Sequence, residues 1–271
     1  MPVQVNGRRV TFSAPLNSSA IIGDFTDDSD RPIPLLAGQS VTLEFPAKAH
    51  VEYAFLNDRG QRMADPDNLS GANHPWYKEY RSVSLAGFTP PLEPNPVAPQ
   101  GRTESLSWAS TLLGGTRRAY IHLPHGYDGS KTYPVFYVQD GVAFRRTGRL
   151  GALHDSLVWQ GRISPAIEYF FNPRYPEYLL LEVLPRVENQ FAVAKNRASR
   201  GLWGASLGGL TSLWTAMQHS DIFGRVVAQS AAIQGQPGQT YQRGAAEWLL
   251  GQYLTAPLLP LELSLDCGQL E

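Results

Sequence analysis

Two hydropathy rhythms divide this chain. Up to residue 88 the apolar residues come in short alternating runs: Arg9-Val10-Thr11-Phe12-Ser13, Ala20-Ile21-Ile22-Gly23, Val41-Thr42-Leu43-Glu44-Phe45 and His50 to Leu56. A turn at Asn57-Asp58-Arg59-Gly60 closes the last of them. A period of two puts alternate side chains on one face, so residues 1–88 predict a small antiparallel β-sandwich. Residues 89–99 then carry five prolines and predict a semi-rigid extended linker. From residue 100 the rhythm changes. Strand patterns at 120–123, 135–138, 166–170, 201–203, 226–229 and 261–265 alternate with helical patterns at 178–187, 207–219 and 245–254. Such alternation predicts an α/β domain over residues 100–271, with a mostly parallel sheet and helices on both faces.

The run Gly204-Ala205-Ser206-Leu207-Gly208-Gly209 sits at one strand-to-helix junction of that second pattern. Gly-x-Ser-x-Gly between a strand and a helix is the nucleophile elbow of α/β-hydrolases. The glycines let strand and helix pass closely, and the turn lifts Ser206 to where a base can reach it. The Leu207 N–H, at the helix N-terminus, then faces a developing oxyanion. In this fold the triad runs serine, acid, histidine. The only histidine after Ser206 is His219, near the far end of the same helix. At 1.5 Å per residue it lies roughly 20 Å away, so it cannot be the base. The sequence reading therefore expects an incomplete hydrolase domain and a base absent from the chain.

Charge and composition narrow the remaining classes. The net charge is −1 and no basic block occurs, so nucleic acid is not expected as a partner. No apolar run has transmembrane length and no apolar leader is visible, so no membrane partner and a cytoplasmic setting are expected. The single Cys267 excludes an internal disulfide and is expected to be a small buried strand residue. His154 and Asp155 are neighbours on a predicted helix and do not face each other, so they read as packing residues. His50, His74, His122 and His125 read as structural, and no histidine or cysteine spacing marks a metal.

Several segments together resemble the enterochelin (enterobactin) esterase family. They are Ala198–Leu210, His219-Ser220-Asp221-Ile222-Phe223-Gly224, Gln229-Ser230-Ala231, Val138-Gln139-Asp140-Gly141, Glu182–Glu188 and the terminal Asp266–Glu271. Gly23-Asp24-Phe25-Thr26, Tyr53-Ala54-Phe55 and Ala64–Asn68 resemble that family's N-terminal early-set sandwich, related to glycogen-binding modules. The family's closing Gly-Gly-His segment is missing, and the stretch between Phe171 and Tyr178 is short.

The resemblance implies a serine esterase acting on a catecholate trilactone, with iron arriving in the substrate and no cofactor required. It implies a second oxyanion N–H from Val142 and a triad acid at Glu271, with Asp266 as its rival. Arg145 and Arg146 become an anion clamp for ferric catecholates, against the alternative of a solvated basic turn. Trp76 becomes a stacking surface for substrate, against the alternative of packing between domains. Two other readings stay open: a feruloyl or acetyl esterase acting on carbohydrate esters, and a binding protein or inactive fragment.

Overall fold

The computed structural model describes every residue except Met1 and residues 27–30, 171–175, 237–247 and 269–271. The chain forms two compact units, residues 1–92 and 93–267. In the first unit β1 (Gln4–Asn6), β2 (Arg9–Ser13) and β5 (Ser40–Glu44) make one sheet. The other contains β3 (Ser18–Gly23), β4 (Ile33–Pro34), β6 (His50–Asn57), β7 (Arg62–Met63) and β8 (Arg81–Ser84). Every pairing in both sheets is antiparallel. Val10 and Phe12 of the first sheet share a buried core with Ile21, Val51, Tyr53 and Phe55 of the second. The alternation in the sequence is thus the inward face of two packed sheets.

In the second unit a single seven-stranded sheet runs β15-β14-β13-β11-β12-β10-β9. Its strands are β9 (Arg102–Ala109), β10 (Thr116–Leu123), β11 (Val135–Val138), β12 (Ile167–Phe170), β13 (Arg200–Ala205), β14 (Arg225–Gln229) and β15 (Glu262–Asp266). β11 to β15 are mutually parallel, whereas β10 runs against β12 and β9. The helices are α1 (Leu150–Trp159), α2 (Pro176–Tyr178), α3 (Leu184–Gln190), α4 (Leu207–Gln218) and α5 (Trp248–Thr255), with a π-turn at Leu179–Val183 between α2 and α3. Ile121, Val135, Tyr137, Ile167, Leu202 and Val226 from the strands are buried against Leu210 and Leu213 of α4.

The hairpin β9–β10 is tied down by one carboxylate. Glu182 accepts from the Trp108 indole (3.0 Å) and from the backbone N–H groups of Thr111 (2.8 Å) and Leu112 (2.9 Å). Burial alone would raise its pKa, but these donors outweigh that effect and hold it at about 2.

The strand order positions the site. After β11 the chain adds β12 on one side, then returns to add β13 on the other. At such a switch point the loops leaving neighbouring strands diverge and open a crevice at the C-terminal strand ends. β11 and β13 deliver residues 139–142 and Ser206 to that crevice.

Candidate active site

β13 reaches α4 through a single residue. Ser206 has φ 51° and ψ −123°, a conformation that costs a non-glycine residue about 1–3 kcal/mol. Three hydrogen bonds hold it there. Its N–H donates to the Gln229 carbonyl (3.0 Å), and its carbonyl accepts from Leu210 N–H (3.0 Å) and Ala232 N–H (3.0 Å). A Cβ on Gly204 would run into the Gly208 carbonyl group and stand 2.9 Å from the Gly209 nitrogen. A Cβ on Gly209 would lie 2.9 Å from that of Ala231. The sequence therefore needs glycine at both positions to let strand and helix close up. Ser206 itself is exposed, and among the described residues its hydroxyl has no hydrogen-bond partner. Leu207 opens α4, so its N–H has no intrahelical carbonyl to bond.

The turn after β11 packs directly on this elbow. Gln139 N–H donates to the Trp203 carbonyl (2.7 Å), which carries the β11–β13 ladder past the end of β11. Asp140 takes φ 52°, and its carbonyl accepts from Ala143 N–H (2.9 Å). Val142, half exposed, keeps a backbone N–H with no backbone partner among the described residues. A Cβ on Gly208 would sit 3.0 Å from Asp140 Oδ2 and 3.1 Å from Gln139 Cβ, so elbow and turn are in contact. Two candidate oxyanion donors, from Leu207 and Val142, thus belong to touching segments.

On the other flank Asp266 closes β15. In the parallel register Ala205 pairs with Gln229 and Gln229 with Asp266, so Asp266 lies in the same row as the residue before Ser206. Gln229 bridges that row: its Nε2 donates to Asp266 Oδ2 (3.2 Å), and its Oε1 accepts from the Trp203 indole (2.9 Å). Glu271, the acid expected from sequence, lies outside the described residues. Cys267 is corrected: it is exposed rather than buried. It follows β15, whose five residues are all exposed because, among the described residues, that strand pairs only with β14.

The remaining candidates separate. Arg145 is half-buried, with its guanidinium 4.1 Å over the Tyr120 ring, while Arg146 is exposed. Trp76 belongs to the first unit, is 56% exposed there, and its backbone N–H donates to His74 Nδ1 (3.2 Å). Of the six histidines, the four of the second unit are held away from Ser206. His219 caps the far end of α4. His125 contacts the Gln100 carbonyl at 3.4 Å. His122 and His154 are buried with Asp155 and Glu168 where α1 covers β10 and β12. Sequence reasoning missed that last grouping because its members are brought together by strand pairing, not by spacing.

Residues 110–172 and 168–271 match the esterase family, described as "Putative esterase". The chain belongs to this family. An endo-1,4-β-xylanase/feruloyl esterase of Xylanibacter ruminicola is 23% identical over 150 residues, which are 46% of this chain and 21% of that protein. The chain therefore spans only about a fifth of the length of that curated relative. Among solved structures, the enterobactin esterase of Shigella flexneri, crystallised with 2,3-dihydroxy-N-benzoyl-serine, shares the fold over 99% of this chain and 83% of its own (TM-score 0.70, 18% identity). The ferulic acid esterase of Anaeromyces mucronatus shares it over 64% of this chain and 74% of its own (TM-score 0.54, 24% identity). No helix among the described residues is long and apolar enough to cross a membrane.

Proposed function

We propose that this protein is a serine carboxylic ester hydrolase in which Ser206 attacks the ester carbonyl. The elbow carries the reading: a strained, exposed serine between a strand and a helix N-terminus, in contact with the turn that holds the second free N–H. The tetrahedral oxyanion would be bound by Leu207 N–H and Val142 N–H, preorganised donors that strengthen as charge develops. Asp266, steadied by Gln229, is the carboxylate best suited to orient a histidine base, with Glu271 the alternative. None of the second unit's histidines serves Ser206, so these residues supply nucleophile and oxyanion hole but not the base.

For substrate we favour a catecholate siderophore ester, with cytoplasmic iron release. The support is that the fold shared with the enterobactin esterase spans nearly the whole chain, both units included. Arg145 and Arg146, directly after the oxyanion turn, would then clamp the anionic ferric catecholate. No cofactor is required, and iron would enter only with the substrate. The second reading, a feruloyl or acetyl esterase acting on carbohydrate, is supported by the curated xylanase/feruloyl esterase relative. A substrate panel separates them. Ser206-dependent cleavage of catecholate trilactones but not feruloyl sugars supports the first reading, and the reverse supports the second.

A further inference from the structure

The grouping under α1 makes no contact with the elbow and has no part in the proposed ester chemistry. His122 lies near the end of β10 and pairs in register with Glu168 of β12, so both project from one face of the sheet. His154 and Asp155 come down on that face from α1. All four are at least nine-tenths buried, with His122 and His154 at 5% exposure and Asp155 and Glu168 at 3%. The nitrogens and oxygens converge. His122 Nε2 is 3.1 Å from Asp155 Oδ2, and His154 Nδ1 is 3.6 Å from Glu168 Oε1 and 4.0 Å from Asp155 Oδ1.

His122 Nε2, His154 Nδ1 and the other Glu168 oxygen, Oε2, are fully buried, and beyond the ion-pair contacts above they make no hydrogen bond. Two glycines make the room. A Cβ on Gly151 would meet the His122 ring at 2.7 Å, and one on Gly101 would stand 3.0 Å from His122 Nε2.

We infer that His122, His154 and Asp155 form a buried site for a divalent first-row metal ion, Zn²⁺ in the first instance, that pins α1 to β10, with Glu168 beside it. Two imidazoles and a carboxylate are a donor set that suits Zn²⁺. Bonds of about 2.0–2.2 Å in a tetrahedron put ligand atoms about 3.3–3.6 Å apart, and the ligand atoms of His122, His154 and Asp155 all lie within 4.8 Å of one another, so a small inward shift would seat the ion. A dication would also balance two carboxylates enclosed together.

The outer ring atoms have partners of the kind that orient metal ligands. His122 Nδ1 faces Thr103 Oγ1 at 3.4 Å. On the far side of His154, Ala166 N–H points at Nε2 (3.1 Å). While Nε2 accepts from Ala166, Nδ1 carries the ring proton, so metal binding at Nδ1 requires that proton to leave Nδ1. A pocket of about 240 Å³, lined by His122, Thr103, Gly101 and Gly151 among others, leads to the His122 edge of the cluster.

The test uses the 271-residue protein, stripped with EDTA and titrated with Zn²⁺ against a chromophoric chelator. The expected result is one tight Zn²⁺ per chain and a higher thermal midpoint. His154→Gln and Asp155→Asn should each weaken binding at least about 100-fold, since even outer partners of a ligand are worth 10–100-fold. His125→Gln and Cys267→Ser, both exposed sites, should leave it unchanged. Absence of tight binding, binding that survives both cluster variants, or binding lost with the surface variants overturns the proposal. If the cluster variants fail to fold, the Co²⁺ absorption of wild type decides: intense tetrahedral bands support the site, and a weak six-coordinate spectrum refutes it. Esterase activity enters none of these readouts, so failure here leaves the Ser206 reading untouched.

Discussion

Substituting Gly204→Ala tests how closely the elbow is packed. The added methyl would overlap the Gly208 carbonyl group and lie 2.9 Å from the Gly209 nitrogen. Both obstacles are backbone, so no side-chain rotamer relieves the clash and β13 must separate from α4. Overpacking of a tight core costs about 1–3 kcal/mol, and rigid partners put this case at the upper end, near 3 kcal/mol. In a unit of this size each kcal/mol moves the melting midpoint by about 2–4 °C, which gives a loss of roughly 6–12 °C. Gly251→Ala is the matched control. It lies inside α5, where a Cβ would meet nothing within 4 Å. Removing a mid-helix glycine should there add up to about 1 kcal/mol. Thermal or urea denaturation of the three proteins reads both effects. A Gly204→Ala protein within about 0.5 kcal/mol of wild type, the usual range for a neutral surface change, would refute the close-packed elbow.

Three further outcomes follow from the same structure. Glu182, held at about 2 in the folded protein, stabilises the fold fully above its unfolded pKa of about 4.3 and loses that contribution as pH falls through about 2; melting curves of wild type should therefore drop more steeply than those of Glu182→Gln between pH 4.5 and 2.5, and parallel pH dependence would reject the tie at the β9–β10 hairpin. Arg146→Ala should slow ferric catecholate hydrolysis more than that of a small neutral ester, by roughly tenfold, because only the charged substrate feels the clamp; equal losses on both would remove the clamp. Arg145→Ala should in addition lower the melting midpoint, because its guanidinium stacks on Tyr120 at 4.1 Å, and an unchanged midpoint would show that the stacking contributes nothing.

What the sequence made legible follows physical lines. Core strands such as Val135–Val138 and Arg225–Gln229 are apolar runs fixed by burial, and Leu207–Gln218 carries a helical stripe that packs on them. The elbow was legible because glycine spacing encodes a steric requirement. β9 was not, because as an outer strand it presents Arg102, Thr103, Ser105 and Ser107 and offers no apolar rhythm. The exposure of Cys267 depends on β15 having one neighbour among the described residues, which no local pattern reports. The His122, His154, Asp155 and Glu168 cluster was illegible for a related reason. Its members come from β10, α1 and β12, and only the antiparallel β10–β12 register and the seat of α1 bring them together.

The account stands most directly on Ser206 as the nucleophile. The 271-residue chain should be exposed to a fluorophosphonate, with and without imidazole as a substitute base, and digested with trypsin for tandem mass spectrometry. The expected result is a single phosphonyl adduct on the peptide from Gly201 to Arg225, at Ser206, formed faster with imidazole and absent in Ser206→Ala. An adduct that survives Ser206→Ala, an adduct on another residue, or none even with imidazole would contradict it.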